Sequence, residues 1–141
     1  MLGRLLIAAL SLSLPLISAT ADDPPAVFFE PLSYFVPFDS NSDTLTDEAK
    51  VVIGQAIQDF DTNNTVIMNV VGHYDTSATE EYADQMSRKM AESVRDYLVA
   101  AGVPPTSIRI DWRGEREPTI PTADGVASSA NRRVAIYFSK N

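Results

Sequence analysis

The chain has 141 residues, 45% of them hydrophobic and 21% charged, which suits one globular domain and is too short for two. Nineteen acidic residues against eleven basic ones leave a formal net charge of −8, a field that repels phosphate backbones and speaks against nucleic acid as a partner. The absence of cysteine removes disulfides, thiol nucleophiles, sulfur-ligated zinc, iron–sulfur clusters and any lipid-bearing cysteine.

The chain begins with a positive flank at Arg4 and an apolar run from Leu5 to Ile17, broken by Ser11, Ser13 and Pro15 and followed by Ser18-Ala19-Thr20-Ala21. That is the layout of a secretory signal peptide over residues 1–21. Cleavage is expected after Ala21, leaving a mature chain of about 120 residues. A membrane span would need about 20 uninterrupted apolar residues, and no later stretch supplies them. Residues 22–32 carry three prolines and two leading aspartates and read as a Pro-rich linker, whose Val27, Phe28 and Phe29 can tuck against a core. The folded domain is expected over 33–141.

Tyr34-Phe35-Val36-Pro37-Phe38 is a first strand, with Pro37 placing it at a sheet edge or at a strand end. From Leu45 the apolar positions Ala49, Val52, Ile53, Ala56, Ile57 and Phe60 follow helical spacing. Thr44 or Thr46 suits the cap, and Asp47 and Glu48 suit the positive end of the helix dipole. Asp61 to Asn64 should end this helix. Thr65 to Val71 is β-branched and nearly all apolar, hence a central strand covered on both faces, and Gly72-His73-Tyr74-Asp75 leaves it. Ser77-Ala78-Thr79-Glu80 has capping-box spacing, opening a long helix that runs to Ala101 and stops at Gly102. Tyr82, Met86, Met90, Val94, Tyr97, Leu98 and Ala101 form its buried stripe. Ile108 to Trp112 and Arg133 to Phe138 alternate as the last two strands, with a polar loop between them. The expected fold is an α+β sandwich in β-α-β-α-β-β order, a mixed sheet of about four strands with two helices on one face.

His73 is the only histidine, and with Asp75 it forms H-x-D. A metal site needs three or four ligands and none are spaced nearby, while no cysteine or elbow serine exists for the imidazole to activate. Neither catalysis, nor a metal, nor a cofactor is expected.

Gly72-His73-Tyr74-Asp75 resembles the G-H-T-D turn of OmpA-like domains, the peptidoglycan-binding module of OmpA, Pal and MotB. Phe38-Asp39 with Leu45-Thr46 resembles the opening F-D…L-T of that family. Met86-Ser87 followed by Ala91 and Val94 resembles its L-S-x-x-R-A-x-x-V helix, Gly114-Glu115 with Pro118 its G-E-x-x-P loop, and Asn131-Arg132-Arg133-Val134 its N-R-R-V. The similarity covers roughly Tyr34 to Phe138. It implies a non-enzymatic periplasmic domain that grips the diaminopimelate of the wall stem peptide between an aspartate and an arginine, since a carboxylate takes the ammonium and a guanidinium forks onto the carboxylate. By this resemblance the acid is Asp75, but the arginine position is Met90, the helix asparagine is Ala83 and the turn threonine is Tyr74. Arg132 and Arg133 are the better candidates for the missing charge. The ligand-binding set is therefore Gly72, His73, Asp75, Met90, Asn131 and Arg132, with affinity weakened or retuned by Met90. The alternative is a degenerate domain whose groove serves a protein partner or a structural role. With no barrel and no lipid-bearing cysteine, outer-membrane association is expected to come from an envelope protein partner.

Overall fold

The computed structural model describes residues 32–60 and 66–140. The signal segment, nearly all of the linker and the helix stop at 61–64 lie outside the described residues. Among the described residues six elements alternate: β1 (Ser33–Pro37), α1 (Asp47–Asp59), β2 (Val66–His73), α2 (Glu80–Ala100), β3 (Ile108–Trp112) and β4 (Arg133–Lys140), with a 3-10 turn at Pro105–Ser107. The strands form a four-stranded mixed sheet in the order β1-β4-β2-β3. β4 runs antiparallel to both of its neighbours, and β2 pairs in parallel with β3 through the α2 crossover.

Pro37 meets both readings of its position, since it is the last residue of an edge strand, where a missing N–H breaks no ladder. β2 continues two residues past Val71 because Gly72 and His73 still pair with Val134 and Arg133 of β4. One face of the sheet carries Val36, Met68, Val70, Val134 and Ile136 into a core shared with Ala49, Ile53 and Ala56 of α1 and Met86, Met90, Val94 and Leu98 of α2. On the opposite face Phe35, Ala135, Val71 and Asp111 line up across the strands, and Phe35 is 57% exposed.

Each helix is started by a threonine. Thr46 Oγ1 accepts from the Ala49 N–H at the head of α1. At the head of α2 the cap is Thr79, accepting from the Tyr82 N–H, two residues beyond the start that the capping-box spacing suggested. Ser77 is drawn away from that task by Asp75, to whose Oδ1 it donates through both its backbone N–H and its hydroxyl. α2 then seats directly on β2. A Cβ on Gly72 would overlap the backbone oxygen of Ser87, so no residue other than glycine fits there without moving helix from strand.

Candidate functional site

The C-terminal end of β2, the β1–α1 turn and the loop entering β4 meet at one end of the sheet. Asp75 lies at their junction with its side chain fully buried, and a buried carboxylate must find partners or neutralise. It finds four. Oδ1 accepts from the Ser77 N–H at 3.1 Å and from the Ser77 hydroxyl at 2.5 Å. Oδ2 accepts from the Ser128 N–H at 2.9 Å and from Arg132 Nη1 at 2.5 Å. Burial alone would raise the Asp75 carboxyl, but the bonds from the Ser77 side chain, the Ser128 backbone, Arg132 and the Ser77 backbone outweigh it and hold the pKa below its ordinary value.

Asp75 thus has a cation, delivered from the start of β4 and not from α2. Met90, at the position where the resemblance puts an arginine, is completely buried within the core cluster that also contains Tyr74 and Ala83. Gly72 is closed off by Ser87, and Asn131 commits its side-chain amide to Ile120, donating to that residue's carbonyl at 2.8 Å and accepting from its N–H at 3.0 Å. Asn131 therefore shapes the 113–132 loop. His73 faces away from the helices, opposite Arg133 in the β2–β4 register. Burial, together with the nearby Arg133 and Arg113 charges, lowers its pKa to about 4 despite Asp111 and a backbone hydrogen bond involving Glu117, so the imidazole is neutral at physiological pH.

Of the six residues, only Arg132 lines a sizeable groove at this end of the sheet. The groove, of about 430 Å³, runs between Pro37, Phe38, Asp39, Thr46 and Glu48 on one side and Ser129, Ala130 and Arg132 on the other. Asp39 and Glu48 are exposed carboxylates. In the sequence Asp39 stood out only through the F-D…L-T resemblance and Glu48 only as an acid of the first helical turn, whereas Ser128 left no local signal because it meets Asp75 across 53 residues.

Beside the groove, two phenols hold the β1–α1 turn. The Tyr74 hydroxyl accepts from the Asn41 N–H at 3.1 Å, and the Tyr82 hydroxyl donates to Asn41 Oδ1 at 3.0 Å. Their rings pack edge to face at 5.9 Å, and Asn41 takes a left-handed conformation with φ 53°. Tyr74 fills the core where the related turn carries a small threonine.

Among the described residues no group of three histidine, cysteine, aspartate or glutamate side chains could hold a metal ion, and no helix is long and apolar enough to cross a membrane. What the site offers is a charge-lined cleft beside a buried ion pair, an arrangement that can bind and orient a polar ligand.

The family model described as OmpA matches residues 37–132. An outer membrane protein of Gluconacetobacter diazotrophicus is 33% identical over 112 residues, 75% of this chain and 30% of that protein. Outer membrane protein A of Bordetella avium is 30% identical over 70% of this chain and 51% of its own length, and the peptidoglycan-associated lipoprotein of Rhizobium meliloti is 29% identical over 68% and 54%. The chain therefore spans about half or less of these curated relatives. Among solved structures, the peptidoglycan-associated lipoprotein of Burkholderia pseudomallei superposes with a TM-score of 0.68 at 24% identity, covering 75% of this chain and 90% of that one. The C-terminal domain of Helicobacter pylori MotB does so with a TM-score of 0.63 at 23% identity, over 76% and 84%. At these identities the superpositions speak for the β-α-β-α-β-β fold.

Proposed function

Because the chain belongs to the OmpA family, we propose that it binds cell-wall peptidoglycan non-covalently through the diaminopimelate of the stem peptide. The observation that carries this reading is where the groove falls. Both of its walls, Pro37 to Glu48 and Ser129 to Arg132, lie inside the matched segment 37–132. Relatives named peptidoglycan-associated lipoprotein support the ligand class. The work is binding, not turnover, and it is done in the periplasm after export and cleavage behind Ala21, with any outer-membrane association supplied by an envelope partner.

Binding is weakened or retuned relative to a site with a second cation. Met90 brings no charge, so the ligand carboxylate forgoes one charge-assisted hydrogen bond, which is typically worth about 1.5–3 kcal/mol, or roughly tenfold or more in affinity. The test is co-sedimentation with insoluble sacculi, combined with amide shifts during titration with a diaminopimelate-containing muropeptide. Retention on sacculi with shifts confined to residues 38–48 and 128–132 is the expected result. A second reading, a degenerate domain serving a protein partner or a structural role, is favoured by the four hydrogen bonds that saturate Asp75. It prevails if sacculi retain no protein and millimolar muropeptide moves no amide.

A further inference from the structure

We infer that the groove assigned above to the stem peptide selects a diamino acid whose amine is free and whose carboxylate is masked as an amide, over the same residue with an ionised carboxylate. The inference rests on that assignment and follows from how charge is distributed around the groove. Arg132 is the only cationic side chain among the lining residues, while Asp39 and Glu48 both contribute exposed carboxylates. The Arg132 charge is already matched. Its Nη1 lies 2.5 Å from Asp75 Oδ2, and the two side chains are 11% and 0% exposed. To an incoming ligand this pair is close to neutral, and the groove as a whole is anionic.

Three other sources of positive potential border the cleft, and none restores the balance. Arg133 lines the adjoining hollow that shares Pro37, Ser129 and Ala130, but its guanidinium lies over the Phe35 ring, 6.0 Å from the centroid, and donates to the Glu117 carbonyl at 3.2 Å. The α1 N-terminus opens onto it, but Thr46 Oγ1 accepts the Ala49 N–H, and Asp47 and Glu48 occupy the first turn, so its partial positive charge is countered in place. α2 could send in a side chain from position 90, but that residue is a methionine held in the core. Arg88 of the same helix lies over the Trp112 ring, 5.1 Å from its centroid, and pairs with Glu92 at 2.9 Å. A free ammonium is therefore attracted to Asp39 and Glu48, whereas a free carboxylate on the same residue meets two like charges and no uncommitted guanidinium in the groove lining. Converting that carboxylate to a carboxamide removes the repulsion and supplies N–H donors to the same acids.

The experiment compares two synthetic stem peptides that differ only in a free or an amidated diamino-acid carboxylate, titrated calorimetrically into the full chain at low ionic strength. The amidated peptide is expected to bind roughly three- to tenfold more tightly, and the difference should shrink as added salt screens the groove. Glu48→Gln and Asp39→Asn, both at exposed positions, should narrow it further. Equal affinity, or preference for the free acid, overturns the inference while leaving the peptidoglycan reading intact. Failure of both peptides to bind at millimolar concentration overturns the two together.

Discussion

Asp75 lies two residues beyond β2, its side chain fully buried and bonded four times. Breaking its ion pair with Arg132 leaves a desolvated guanidinium behind. Asp75→Ala is expected to cost about 3–5 kcal/mol in urea unfolding. The exposed Arg95–Asp96 pair, 38% and 71% exposed, should be worth less than about 1 kcal/mol in the same assay. His73 adds a pH dependence of its own. Its folded pKa of about 4 lies below the ordinary 6.5, so protonation favours the unfolded chain. Its contribution is complete above pH 6.5 and is lost as pH falls towards 4, by about 3 kcal/mol at most. Asp75, with its own pKa lowered, keeps its contribution through that window and yields only at lower pH. Urea midpoints measured from pH 7 to 4 should therefore decline in the parent and flatten in His73→Gln. In the sequence Asp75 is singled out by the turn it occupies. Among its partners, Ser77 lies two residues on and Arg132 was marked by the resemblance, whereas Ser128 was not legible, because it lies 53 residues away and nothing local marks a contact made by folding.

At the level of elements, the helices were readable because the three-and-four spacing of apolar residues directly reports a buried face. α2 buries Met86, Met90, Val94 and Leu98 of the expected stripe and adds Ala83, Ser87 and Ala91, small residues that bring it close to the sheet. The start of α2 was less readable. Ser77 and Thr79 are both competent caps, and the choice falls to Thr79 because a buried carboxylate two residues upstream claims Ser77. Thr79→Ala should accordingly cost about 1 kcal/mol, read by thermal melting, whereas Thr79→Ser, which keeps the hydroxyl, should retain most of the parent's stability. The contact between α2 and β2 is less forgiving. Gly72→Ala must push Ser87 away from the sheet, and a loss of at least about 1–3 kcal/mol in urea unfolding is expected, together with shifted amides along both elements.

For the molecule as a whole, strand order was the least accessible feature, since β4 is the last element in sequence and yet sits between β1 and β2. Alternation along Arg133 to Phe138 says that a strand is there but not which neighbours it joins. Its interior place makes the fold depend on the C-terminus. A chain ending before Arg133 keeps both helices and loses the strand that links β1 to β2, and it is expected to show neither cooperative unfolding nor dispersed amide resonances.

β1 also determines how the domain would answer to force. The preceding residues enter it at Ser33, while the groove opens at its other end, beside Pro37 and Phe38. A pull applied ahead of Ser33 and resisted at the groove runs lengthwise along the strand, so the β1–β4 ladder from Ser33–Tyr137 to Pro37–Arg133 is loaded in shear, all its rungs together, and does not unzip one rung at a time.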